Sequence, residues 1–205
     1  MTGEGSGPAA EVGDWLEQRL FAKRVVQLSG PLDDQAATEV VARLMTLDAV
    51  GDEAVELRID SATGTSAAAL AVVDVIDLLG VPVRAFVSGR VHGPALAVLA
   101  VCDHRTVALH ASLRLAEPAV GFRGSARELG ALAAAHRDEW TALCGCVARA
   151  AGRTVEEVAA DAAAGRFLTP DEAVEYGIAD EVARRDAEIR PLPVRRIGFR
   201  PGGLP

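Results

Sequence analysis

Apolar positions recur along this chain in two rhythms. Val55, Leu57 and Ile59 alternate with Glu56 and Arg58, the period of two that predicts a strand with one buried face, ending at Asp60-Ser61. Ala37, Val40, Val41, Leu44 and Leu47 instead recur at three- and four-residue spacing. They predict a helix stripe that Asp33 or Asp34 can cap. By the same reading, residues 15–21 form a short helix and residues 24–28 a first strand, closed by the turn-prone Ser29-Gly30-Pro31. A helix from Thr65 runs to Leu79, where Gly80 and Pro82 stop it. Residues 82–87 form the next strand, Ser88-Gly89 a turn, and residues 94–100 a buried helix whose Pro94 suits a first helical turn.

Residues 105–109 and 112–116 are two further short strands, and residues 125–149 one long helix ending at Gly152. Thr154 with Glu157, and Thr169-Pro170 with Glu172, have the form of capping boxes. Tyr176-Gly177 closes the last helix, and residues 178–182 form a final strand or edge segment. Strands separated by helices of ordinary length predict an α/β layer architecture with parallel pairing and crossover helices covering the sheet. The 125–149 helix is longer than a crossover requires. Both a long helix within one domain and a protruding element that packs on another subunit fit it.

Half of the 205 residues are apolar, enough for one substantial core and no second full domain. Residues 1–13, rich in Gly, Glu, Ala and Pro, are expected to be a flexible arm. Residues 14–190 are expected to form the domain, and residues 191–205, rich in Pro and Gly, an irregular tail. The arm lacks the basic start and apolar stretch of a secretory signal. Charged residues interrupt every apolar stretch before bilayer length, which predicts a soluble protein.

The formal net charge of -8 disfavours a phosphate backbone or an anionic membrane as partner. Cys102, Cys144 and Cys146 are odd in number and contain no Cys-x-x-Cys pair, which matches a reducing compartment and so the cytoplasm. Cys144-Gly-Cys146 has too few neighbouring ligands for a zinc site, and Asp103-His104 is expected in an exposed turn. No cofactor or metal is expected.

Residues 24–34, 59–64, 89–100 and 167–180 resemble segments of the proteolytic subunits of the ClpP family, peptidase S14-like members of the ClpP/crotonase superfamily. Residues 24–34, Arg-Val-Val-Gln-Leu-Ser-Gly-Pro-Leu-Asp-Asp, look like the family's opening strand and Gly-Pro turn. Residues 59–64, Ile-Asp-Ser-Ala-Thr-Gly, stand where the family has Asn-Ser-Pro-Gly-Gly, and residues 89–100 resemble its nucleophile segment. The most specific match is Phe167-Leu168-Thr169-Pro170-Asp171-Glu172-Ala173-Val174-Glu175-Tyr176-Gly177-Ile178-Ala179-Asp180. Together these segments span residues 15–182 in the family's order.

The resemblance implies a ClpP/crotonase-like α/β fold of repeated β-β-α units, with a protruding handle over about residues 119–150. Its long helix would be preceded by Gly121-Phe122-Arg123-Gly124, which looks like the family's Gly-rich handle strand. It also implies self-association into stacked rings, an active ClpP paralogue as possible co-subunit, unfolded peptide as a possible ligand, and a hexameric Clp ATPase as docking partner. The chain itself carries no Gly-x-x-x-x-Gly-Lys-Ser/Thr loop, so ATP hydrolysis would belong to that partner.

Serine-protease chemistry needs a nucleophilic hydroxyl, an imidazole base, a carboxylate that orients it, and amide donors for the oxyanion. In the register that the resemblance implies, Gly89-Arg90-Val91-His92-Gly93 puts Gly93 at the nucleophile position. Leu115-Ala116-Glu117-Pro118 puts Ala116 at the base, and Ala164-Gly165-Arg166-Phe167 puts Gly165 at the carboxylate. One oxyanion donor falls on Pro94, which has no amide hydrogen; the other, Gly64, is retained, although Thr63 replaces the glycine before it.

His92, beside the nucleophile position, and Glu117, beside the base position, are candidates for a rebuilt site, with structural or solvated roles as the plainer account. Ser61, Ser66, Ser88 and Ser112 lie near strand ends without a supporting His-Asp set. A peptide groove is expected near Gly64, His92, Glu117, Phe122 and Arg123.

These readings make the chain a catalytically inactive subunit with a structural or regulatory role in a Clp-type assembly. Two alternatives stand beside it. One is a regulatory protein that holds peptide in the former substrate groove; the other is a family hydrolase, or an acyl-transfer enzyme of the crotonase kind, with an unconventional site.

Overall fold

The computed structural model describes residues 8–184, with side chains from residue 15 onward. The tail and the first half of the expected arm therefore lie outside the described residues. Residues 8–13, expected as part of a flexible arm, lie in helix α1, Pro8–Phe21. Its start at a proline is favourable, because the first turn of a helix has no acceptor for an amide hydrogen. It leads into β1, Val25–Ser29.

Helix α2, Asp34–Val50, is capped by Asp33, whose carboxylate accepts from the Ala36 amide, and it buries Ala37, Val40, Leu44 and Leu47. Strand β2, Val55–Ser61, has every second side chain buried. Helix α3, Ser66–Leu78, is capped by the Thr65 hydroxyl. Strand β3, Val83–His92, does not stop at Ser88-Gly89, as the turn signal suggested. Gly89 serves close approach instead: a Cβ there would lie 2.5 Å from Cγ of Asp60, whose Oδ1 accepts the Arg90 amide at 2.9 Å. This contact sits at the register irregularity between Ile59 and Ser61.

Helix α4, Ala95–Ala100, is buried throughout. Strands β4, His104–Ala108, and β5, Ser112–Arg114, follow. His104 thus belongs to a strand and not to the turn expected of it. Helix α5, Ala126–Ala151, starts with a Ser125–Glu128 capping box and ends at left-handed Gly152. Helix α6, Val155–Ala163, and helix α7, Pro170–Tyr176, both carry the capping boxes read from the sequence. Between them lies β6, Phe167–Leu168, which had no sequence signal; β7, Glu181–Ala183, closes the described chain.

Among the described residues the sheet has seven strands, in the order β1-β2-β3-β4-β7, all parallel along that path. Strand β3 has two partners on one side: Arg84 to Val87 pair with β4, and Arg90 to His92 pair with β5. The departure from parallel pairing is β6, antiparallel to β5. Strand side chains and the helices share one continuous core. The other face of the sheet is only half covered, because Glu56, Arg58, Arg84 and Ser88 alternate with the core residues there. Crossover helices thus cover one face, and the expectation of a covered sheet holds for that face alone.

In α5 the buried side chains begin at Leu143, and the preceding turns carry Leu129 and Leu132 exposed to solvent. Residues 115–125 form no regular element, so the strand expected at residues 121–124 is absent. Among the described residues no helix is long and apolar enough to cross a membrane.

Candidate functional site

The cleft of interest opens where β3 and β5 end. Strand β3 passes through His92 into Gly93, whose φ of 55° places it in the left-handed region that favours glycine. The Gly93 amide donates to the Arg114 carbonyl at 3.0 Å, tying the end of β3 to the end of β5. Pro94 then takes the cap position of α4. On the other side, Leu32 and Gly64 form an isolated bridge, held by Leu32 N–H to Thr63 O at 2.8 Å and Thr65 N–H to Leu32 O at 3.0 Å. A Cβ at Gly64 would lie 2.7 Å from the Leu32 carbonyl oxygen, so the approach requires glycine.

These segments enclose a cavity of about 260 Å³ lined by residues 62–64, 92–94, Arg114 and residues 116–119. The structure therefore brings together Gly64, His92, Gly93, Pro94, Ala116 and Glu117. It places Phe122 and Arg123 outside the lining: the Phe122 ring stands edge-on to His136 of α5, centroids 6.0 Å apart, and Arg123 is exposed. Their expected place beside Gly93 depended on the absent strand at residues 121–124. Gly165 lies behind Arg114, whose Nε donates to its carbonyl at 3.4 Å. Below Gly93 and Ala116, Leu96, Trp140, Leu143 and Val158 close an apolar floor that leaves only about 10 Å³ free, room for no more than about one water.

Three features of the cleft escaped the sequence reading. The first is Arg114: its guanidinium lies over the Phe167 ring, 4.9 Å from the centroid. Phe167 also meets the His92 ring edge-on at 5.8 Å. The second is the pairing of Ser112, named in the sequence without a supporting histidine, with His92: the Ser112 Oγ lies 3.5 Å from His92 Nε2. Among the described residues no carboxylate bonds that imidazole to orient it, so the pair lacks the third member of a hydrolytic set. The third is His136, whose Nε2 lies 3.6 Å from Glu117 Oε1, a close approach without a hydrogen bond. All three arise from register between strands or from α5 crossing the loop, which local sequence does not encode.

Burial pushes the His92 imidazole below its ordinary value; the Arg114 and Arg90 guanidinium groups push it further down, and Asp60 opposes them. His92 is therefore a neutral ring in a positive field near pH 7. Burial raises the Cys144 thiol to about 11 and the Cys102 thiol to about 12, and raises the Cys146 thiol too, so all three favour the protonated form. Among the described residues no group of three His, Cys, Asp or Glu side chains is arranged to hold a metal ion.

The Clp protease family model matches residues 9–186. The ATP-dependent Clp protease proteolytic subunit 4 of Rhodococcus jostii (strain RHA1) is 31% identical over 176 residues, covering 84% of this chain and 91% of that protein. Proteolytic subunit 2 of the same strain is 27% identical over 178 residues, covering 85% and 91%. The chain belongs to the Clp protease family.

Proposed function

We propose that this member of the Clp protease family is a catalytically silent subunit, which contributes wall and docking surface to a Clp-type oligomer in the cytoplasm and leaves peptide hydrolysis to an active paralogue. One observation carries the reading. The cleft at the ends of β3 and β5 is walled by Gly93, Pro94 and Ala116, at the positions where the family resemblance sets a nucleophile, an oxyanion donor and a base. Two of these side chains are a hydrogen and a methyl, and the third residue lacks an amide hydrogen. None can attack a carbonyl, accept its proton or hold its developing charge.

Gly165, at the register position of the orienting carboxylate, adds to the case. The exposed first half of α5, with Leu129 and Leu132 on its surface, is the element we assign to the handle between rings, and the half-covered sheet face gives further area for a neighbouring subunit. Docking by a hexameric Clp ATPase would follow from such a ring. Native mass measurement of the complex purified from the source cell tests the reading. It should contain this chain together with an active Clp proteolytic subunit, and a solitary monomer would contradict it.

The second reading is a regulatory protein that retains an unfolded peptide without cutting it. The open cavity of about 260 Å³ favours it. An unconventional hydrolase built on Ser112 and His92 has the 3.5 Å contact in its favour and the missing orienting acid against it.

A further inference from the structure

Arg114 brings to the cleft a positive charge that no carboxylate neutralises among the described residues. Among the described residues it makes no ion pair, as is true of several surface arginines, but it is the arginine that lines the cavity. It is nonetheless held in place. Its Nε faces the Gly165 carbonyl, its guanidinium carbon lies over the Phe167 ring, and the backbone of β5 fixes its root beside His92. A guanidinium with a preset orientation loses little freedom when it binds, and its fork of donors matches a carboxylate in two parallel hydrogen bonds. His92, neutral and half-buried on the same wall, adds a ring N–H that can donate to the same group.

We propose that the cleft binds a peptide through a carboxylate, seated on Arg114 and His92 at the ends of β5 and β3. The proposal rests on the reading that the cleft holds peptide without cutting it. The charges of the cleft select a monoanion. Arg114 and Glu117 both line the cavity, one cation against one anion, so repulsion from Glu117 grows with the charge of the ligand and favours a single carboxylate over a dianion such as phosphate. The groups that set the local field are Arg114, Arg90, Asp60 and Glu117, with His136 beside Glu117. The carboxylate can be the peptide's own C-terminus or an acidic side chain.

The test uses the full chain and three fluorescent hexapeptides without basic residues: an apolar free acid, its C-terminal amide, and the amide with one central Glu. Peptides recovered after binding are weighed by mass spectrometry. At least one carboxylate-bearing peptide should bind about tenfold more tightly than the neutral amide, and which one does so identifies the source. In Arg114→Met the preference should fall to within about twofold, with the native mass unchanged. On wild-type protein the His92 ring resonances should titrate at higher pH in the bound form, because the anion offsets Arg114; this readout needs no variant. Equal binding of all three peptides, no binding of any, or a preference that survives Arg114→Met would overturn the carboxylate site. Cleaved peptide would instead overturn the silent-subunit reading, whatever the affinities.

Discussion

Arg114 occupies the space that a side chain at position 165 would need. A Cβ built on Gly165 would lie 2.9 Å from Nη2 of Arg114, and Gly165 itself has a φ of 66°. The pair is thus complementary in shape, a long cation on β5 against a residue with no side chain. In the register of the family resemblance this is the position of the orienting acid, so a change there would have to displace Arg114 as well as supply a carboxylate.

Gly165→Ala should destabilise the protein by about 1–2 kcal/mol, from left-handed backbone strain and the clash together. Arg114→Ala in the same chain should relieve the clash and leave the strain. A double-mutant cycle in urea should therefore show coupling between positions 114 and 165, whereas independent effects would mean that the two do not compete for space.

Gly64→Ala meets backbone and not a movable side-chain end: its Cβ would lie 2.7 Å from the Leu32 carbonyl oxygen and 2.8 Å from the Leu32 Cβ. The Leu32–Gly64 bridge should open, with a loss of about 2–3 kcal/mol in urea unfolding. Gly130→Ala is the control, since among the described residues nothing lies within 4 Å of a Cβ there, and it should be neutral or slightly stabilising as a helix substitution.

Gly93→Ser alone should yield no peptide turnover. The serine would stand at a φ of 55° with its Cβ 3.0 Å from the Ala116 carbonyl oxygen, beside Pro94 and without an imidazole at 116. The expected cost is about 1 kcal/mol in stability. Fluorogenic peptide hydrolysis above background by this single variant would mean that the cleft still contains a working base.

Asp180 accepts from the Arg105 backbone amide at 2.7 Å and from its Nη2 at 2.6 Å, bonds that join β4 to the approach of β7. The Arg105 side-chain bond, more than any other contact, holds the Asp180 carboxyl below the usual carboxylate range. A folded value below the unfolded one means that its stabilisation is complete above about pH 4, the unfolded value, and is lost as pH falls through the folded value. Wild type should therefore exceed Asp180→Asn in urea midpoint at pH 7, and the gap should close in acid. A gap that does not change with pH would remove the ion pair from the account.

Local signals carried most of the fold. Alternation at residues 55–59 located β2, and the hydroxyl or carboxylate caps at Asp33, Thr65, Thr154 and Thr169 set the starts of four helices. Failures came where tertiary contact overrode local chemistry. Ser88-Gly89 has the composition of a turn, yet β3 runs through it because Asp60 needs a residue without a side chain opposite it. Phe167-Leu168 is too short to announce a strand and becomes one by pairing with Leu113 and Arg114. In the cleft, Gly64, His92 and Glu117 were legible, whereas Arg114 was not, since its place follows from pairing between β3, β5 and β6. Phe122 failed for the converse reason: the strand meant to carry it has no ladder partner among the described residues.

The most direct measurement is peptide turnover by the purified protein, with an active Clp proteolytic subunit as positive control. The account predicts background hydrolysis, unchanged by Ser112→Ala or His92→Ala. Turnover that scales with this protein, and that either substitution abolishes, would contradict it.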